Sequence, residues 1–130
     1  MKGIVITPSN DISLIDVLEN GEPLYALISA VVGGFMENVR PRRLRKGLIM
    51  IVNEEGLLHG LPVNPMASWL YETDKHGQPI VGKVIILEEG LYEGEPDIVG
   101  ISDEEASAVI AELIDEFTSL VSERRIIING

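Results

Sequence analysis

The residues best suited to binding chemistry lie in one short basic segment, Arg40–Lys46, which holds five of the ten basic residues of the chain. Arginine guanidinium groups present paired donors to phosphate and carboxylate oxygens. Arg42, Arg43 and Arg45 are therefore candidates for binding a phosphate-bearing small molecule, such as a nucleotide, or an acidic partner. A second interpretation stays open, in which acids of the same chain or of a second copy neutralise the segment.

A second set of candidates lies in the segment Asn53–Asn64, where polar residues, glycines and a proline follow an apolar strand pattern. Loops held by such turn residues often carry binding groups. The simpler interpretation is a turn followed by the N-cap of a helix. The candidates of this segment for contact with a ligand or partner are Asn53, Glu54, His59 and Asn64.

Patterns typical of catalysis or metal binding are not found. The two histidines, His59 and His76, lie 17 positions apart, and the chain has no cysteine. This composition excludes thiolate nucleophiles and cysteine-ligated metals. Neighbouring acids diverge on a helix or strand, so the paired glutamates do not form acid–base dyads. We predict no catalytic residue, no metal and no cofactor, and leave enzymatic activity open.

The overall charge limits the classes of partner. The chain has 21 acidic and 10 basic residues and a net charge of −11. Broad nucleic-acid binding requires the neutralisation of many phosphates, so nucleic acid is not an expected partner. An acidic surface suits a basic partner, or a DNA-binding protein if it imitates the charge of DNA.

Apolar periodicity predicts an α+β fold with a mostly antiparallel sheet of about four strands and two or three helices against one face. A long amphipathic helix should begin at the Ser102 capping box and run to about Glu123. Shorter helices should begin at Pro23 and after Asn64, and the first of them should end at Gly33 and Gly34. The strands are predicted at Lys2–Thr7, Phe35–Val39, Gly47–Asn53 and Ile80–Leu87. The basic segment should join the second and third of these as an antiparallel pair.

The remaining segments are predicted to be connections. Residues 10–22 read as irregular or briefly helical, Asp74–Pro79 as a surface turn and Glu88–Asp97 as an acidic loop. The tail Ile126–Ile128 is expected to add a strand or to act as a docking segment. An apolar helix face that its own fold does not cover would favour a homodimer, which stays open.

Length and composition favour one globular domain over residues 1–130, with 45% hydrophobic residues. The most apolar stretch, Leu24–Val32, has nine residues, against the roughly 20 that a membrane span needs. The apolar run at the N-terminus is too short for a signal peptide. We expect a cytoplasmic protein without membrane contact.

Four blocks of the chain resemble, in residues and spacing, those of a known family: Val32–Val39, Ile51–Gly56, Gly60–Ala67 and Ile80–Val84. This is a family of small proteins of unknown function encoded by bacteria, phages and conjugative or integrated elements. The resemblance covers about Lys2–Leu87 and leaves the helix from Ser102 unplaced. It implies an accessory protein of phage or mobile-element type, without catalytic residues. If its shared blocks form a site, the resemblance implies these matching positions: Gly34, Glu37, Asn53, Glu54, Gly56, Gly60, Pro62 and Asn64. Glu37 joins the candidates for contact with a ligand or partner on this ground.

The leading functional hypothesis is a small acidic accessory protein that binds another protein without catalysing a reaction. The alternative is a small-ligand binder that uses residues 40–46 on a phosphate. A further alternative is an acidic mimic of DNA that inhibits a host factor.

Overall fold

The computed structural model describes residues 1–123 and places ten helices and strands along them. The predicted segment Ile126–Ile128 lies outside the described residues. The elements are β1 (Lys2–Ile6), β2 (Ile12–Asp16), α1 (Glu22–Val32), β3 (Met36–Val39), β4 (Leu48–Asn53), α2 (Pro65–Tyr71), α3 (Thr73–His76), β5 (Val84–Tyr92), β6 (Glu95–Val99) and α4 (Asp103–Ser122).

The strands form one antiparallel sheet in the order β2-β1-β5-β4-β3, with β6 also paired to β5. This confirms the predicted α+β class and the antiparallel sheet. The described residues contain six strands and four helices, so the predicted count of about four strands was too low. The two missing strands are β2 and β6.

Strand β2 replaces the irregular or helical segment predicted near residues 10–22. Its residues pair one to one with β1, from Ile12 opposite Ile6 to Asp16 opposite Lys2. As an edge strand, β2 leaves Ser13 and Leu14 exposed and lacks a clear apolar alternation. The pairing with β1 decides its conformation, and no local pattern shows that pairing.

The hairpin of β5 and β6 replaces the loop predicted at Glu88–Asp97. Strand β5 runs on to Tyr92, and a two-residue turn at Glu93 and Gly94 has positive φ at both positions, 52° and 80°. Such a turn matches the twist of a hairpin. Gly90 contributed to the incorrect prediction of a loop. In the structure it lies within β5, where a Cβ would lie 2.7 Å from the Val99 side chain. The glycine permits the two strands to pack closely.

Helices cover both faces of the sheet rather than the one face predicted. On one face, α2 and α4 pack against β1, β4 and β5 through residues such as Leu70 and Phe117. On the other face, α1 packs through Leu24 and Ile28. Every residue of β4 is buried, and strands buried on both faces carry continuous apolar runs.

The predicted ends of α1 and α4 are confirmed. Ser102 caps α4 by accepting a hydrogen bond from the Glu105 amide at 3.2 Å. Helix α1 has Pro23 in its first turn and ends at Gly33 in the left-handed conformation. Short helix α3 stands in the place of part of the predicted surface turn at Asp74–Pro79.

Candidate functional site

The arginines of Arg40–Lys46 turn back onto acids of the same chain. Arg40 pairs with Glu89 on β5, with Nη2 at 2.9 Å from Oε2. Arg45 donates to both carboxylate oxygens of Glu112 on α4. These pairs join the β3–β4 connection to the sheet and to α4. Because both pairs are exposed to solvent and screened by it, they contribute little to stability.

Arg42 makes a two-pronged pair with Glu72, the most buried acid among these pairs. Its Nη2 lies 2.8 Å from Oε1, and its Nε lies 3.1 Å from Oε2. Lys75 Nζ adds a contact of 3.0 Å, and Arg43 lies 3.9 Å away. Glu72 is buried and has φ 60°, a conformation uncommon for a residue with a side chain. The hydrogen bonds from Arg42, then Lys75, lower the pKa of Glu72 to about 2.

Acid should therefore weaken the fold through Glu72. Its folded pKa of about 2 lies below the ordinary 4.5, so its contribution to stability is complete above 4.5 and is lost as the pH falls toward 2. We expect urea unfolding to show a free energy that declines across this window. Glu72→Gln should be less stable at neutral pH and lose less on acidification. Equal pH slopes in the two proteins would contradict this assignment.

Arg43 packs against Trp69 at the surface of the protein. Its guanidinium carbon lies 4.2 Å from the ring centroid, and its Nη1 donates to the Trp69 carbonyl at 2.6 Å. The Trp69 ring meets Phe117 edge to face at 5.5 Å. A stacked guanidinium with a backbone acceptor has fewer donors left for an external phosphate. Arg42, Arg43 and Arg45 are thus all engaged within the chain.

Three other predicted residues, Glu37, Asn53 and Glu54, come together at one end of the sheet. They line a cleft of about 80 Å³ with apolar neighbours such as Leu57 and Val81. Glu37 lies opposite Val52 in the β3–β4 ladder, and the Glu54 amide donates to the Phe35 carbonyl at 2.8 Å. The two glutamates are therefore diagonal neighbours on one face of the strand pair.

Asn53 holds the backbone around this cleft. Its buried side chain donates to the Val32 carbonyl at 3.0 Å and accepts from the Glu55 amide at 2.8 Å. The first bond fixes the end of α1, and the second fixes the loop after β4. Asn53 thus positions the two chain segments that border the cleft, and its own polar atoms are already bonded.

His59 lies on the exposed loop beside the cleft. Its Nε2 is 3.3 Å from Glu55 Oε2. Backbone hydrogen bonds from the His59 amide to the Glu55 carbonyl and from the Leu61 amide to the Gly56 carbonyl, both 3.1 Å, hold this loop in tight turns. These bonds hold the loop backbone in one conformation, and its exposed side chains project from it.

Asn64 differs from the other candidates because it is completely buried. Its Nδ2 donates to the Ile6 and Gly82 carbonyls at 3.0 and 2.9 Å, and its Oδ1 caps α2 by accepting from the Ala67 amide at 3.1 Å. All three bonds are internal, so Asn64 ties β1, the segment before β5 and α2 together. The predicted N-cap is confirmed.

Sequence reasoning missed four exposed apolar residues on the chain segments that border the cleft, of which Leu57 lines it. Leu58 is 84% exposed and Phe35 is 70% exposed, and Leu57 and Val63 are exposed as well. The signal that points to them is the pair Leu57–Leu58 inside an otherwise polar, glycine-bounded loop. Exposed apolar groups that share one region mark interaction surfaces. We call Phe35, Leu57, Leu58 and Val63 the apolar rim.

The fold and site define a small α+β protein with an internally neutralised basic loop and an acidic cleft beside an apolar rim. Within residues 1–123, no group of three or more His, Asp or Glu residues is placed to hold a metal ion. No described helix is long and apolar enough to cross a membrane.

The chain belongs to the family described as Domain of unknown function (DUF3846), whose profile matches residues 1–121. This confirms the predicted membership of a family of unknown function. The match also extends beyond the resemblance at Lys2–Leu87, because it includes most of α4. Comparisons with curated proteins and with solved structures found no match.

Proposed function

We propose that this protein is a non-enzymatic binding module whose protein partner docks on the apolar rim. The observation that carries the proposal is the exposure of Phe35 and Leu58 on segments whose backbones are held by hydrogen bonds. Full burial of such a side chain contributes about 1.5–3 kcal/mol. A rigid loop loses little entropy when it binds. An accessory role in a phage or mobile element is part of the proposal and is supported by the resemblance alone.

The acids beside the rim indicate the chemistry of the partner. Glu37 and Glu54 line the neighbouring cleft, and Glu55 lies on the same loop as Leu57 and Leu58. A partner with apolar side chains surrounded by basic ones would match this surface. We therefore expect the partner to carry basic side chains at its interface, as the net charge of the chain also favours.

The phosphate-binding alternative has less support. The cleft beside Arg43 and Arg45 has a volume of about 300 Å³, which is large enough for a small ligand. It is also lined by Glu112, Asp115 and Glu116, whose carboxylates repel a phosphate. The DNA-mimic alternative rests on net charge, and the exposed apolar rim favours a partner bound through apolar contacts.

The test is the loss of partner binding when the rim is made polar. Phe35→Ser with Leu58→Ser should weaken the affinity for a co-purified partner about 100-fold or more, since two large apolar side chains no longer become buried. Leu91→Ser is the matched control, because Leu91 is 70% exposed on the β5–β6 hairpin at the opposite end of the sheet. Isothermal titration of each purified variant with the recovered partner measures the effect.

Folding is checked with the same proteins. The rim residues are exposed, so the double variant should keep the unfolding midpoint of the wild type within a few degrees. A partner that binds the double variant with unchanged affinity would refute the proposal. Equal losses in the double variant and in Leu91→Ser would refute it as well.

A further inference from the structure

We infer that the cleft between Glu37 and Glu54 receives a single lysine or arginine side chain of the partner, an inference that rests on the proposed function. The cleft is a polar socket beside the apolar rim, lined by both carboxylates and by apolar residues such as Val52, Leu57 and Val81. Cationic side chains combine an apolar stem with a charged end, and this lining matches both parts.

The cleft is large enough for the end of one side chain and too small for a free ligand such as a nucleotide. Its volume is about 80 Å³. Drug-sized ligands and nucleotides occupy sites of roughly 300–1,000 Å³. The end of one lysine or arginine side chain fits, and a nucleotide does not.

The charge of the cleft selects a cation. Within residues 1–123, Glu37 and Glu54 have no ion-pair partner, unlike Glu72, Glu89 and Glu112. No basic residue lines the cleft. A cation in the cleft would therefore be the first positively charged partner of both carboxylates. Hydrogen bonds between charged groups are stronger than those between neutral groups.

The framework around the socket is preorganised. Asn53 is buried beside the two glutamates and fixes the chain on both sides through its bonds to Val32 and Glu55. The Glu54 amide is held by the Phe35 carbonyl. The same bond places an apolar rim residue next to a socket carboxylate, so one partner segment can reach both with neighbouring side chains.

The probe is the peptide acetyl-Gly-Leu-Lys-Leu-Gly-amide, compared with the same peptide carrying norleucine in place of lysine. Titration into the full chain, followed by two-dimensional amide NMR, should give saturable shifts at Glu37, Glu54 and Gln78. The norleucine peptide keeps the stem without the charge and should bind at least about tenfold more weakly. Added salt should weaken the lysine peptide selectively. Equal shifts with both peptides, or no saturable shift at the cleft, would overturn the inference.

Variants separate the socket from general electrostatics. Glu37→Gln with Glu54→Gln should weaken the lysine peptide about tenfold or more. Glu19→Gln with Glu95→Gln removes the same charge from exposed sites that do not line the cleft and should leave the affinity unchanged. Equal losses in both pairs would overturn the inference, since net charge would then explain the binding.

The outcome for the socket can be distinguished from the outcome for the rim. A partner that is lost by the Phe35 and Leu58 substitutions but bound normally by Glu37→Gln with Glu54→Gln would leave the proposed function intact and remove the cationic socket. Loss in both double variants, with Leu91→Ser unaffected, supports both. Binding that survives both double variants refutes both.

Discussion

Asn64→Ala should lower the free energy of unfolding by about 3 kcal/mol. The substitution removes the cap of α2 and leaves the carbonyls of Ile6 and Gly82 without the amide donor that now bonds both. The side chain is fully buried, so water does not replace these bonds without rearrangement. Urea unfolding at neutral pH measures the effect.

Asn64→Ser separates the two contributions. A serine hydroxyl restores the cap acceptor, which is worth about 1 kcal/mol, and does not reach both carbonyls. The serine variant should therefore lie between wild type and Asn64→Ala. Serine as stable as asparagine would show that the two carbonyl bonds contribute nothing. A cost below about 1 kcal/mol for alanine would contradict the internal role given to Asn64.

Phe117→Ala should cost about 3–5 kcal/mol, the usual range for truncation of a buried phenylalanine. Phe117 is 2% exposed and packs in the core between α4, α2 and the sheet. Its loss leaves a cavity and also removes the edge contact with Trp69. Trp69 is the single tryptophan of the chain, so its fluorescence reports the change in the folded state and the unfolding transition together.

Ile114→Ala is the matched control on the same helix. Ile114 is 50% exposed, so its truncation should cost less than about 1 kcal/mol. A similar cost for both substitutions would contradict the packing described for α4. An unchanged Trp69 emission in Phe117→Ala would contradict the aromatic contact.

The two sets of candidate residues have different roles in the structure. Arg42, Arg43 and Arg45 bind acids and an aromatic ring of their own chain. Glu37 and Glu54 have no such partners within the described residues. Groups that are already paired must lose an internal contact before they bind a ligand. The acidic end of the sheet is for this reason the better candidate for recognition.

Local patterns were sufficient where neighbouring residues decide the structure. The cap at Ser102, the cap at Asn64 and the end of α1 at Gly33 each depend on residues within a few positions. The long α4 is confirmed for the same reason, because its apolar residues repeat at helical spacing. Strands β2 and β6 were missed although each forms a hairpin with its neighbour in sequence. The exposed edge strand β2 lacks a clear apolar alternation, and the glycines and proline of residues 88–97 resemble those of a loop.

The sequence by itself determined the α+β class, the capped helices, the antiparallel pair around the basic loop and membership of a family of unknown function. Only the tertiary structure decided what the charged and apolar side chains do. Arg42 and Glu72 are 30 positions apart, and Arg45 and Glu112 are 67 positions apart. Long-range ion pairs depend on how the elements pack, and composition does not encode them. Exposure of Phe35 and Leu58 was also undetermined, because a side chain is exposed only when no distant segment covers it.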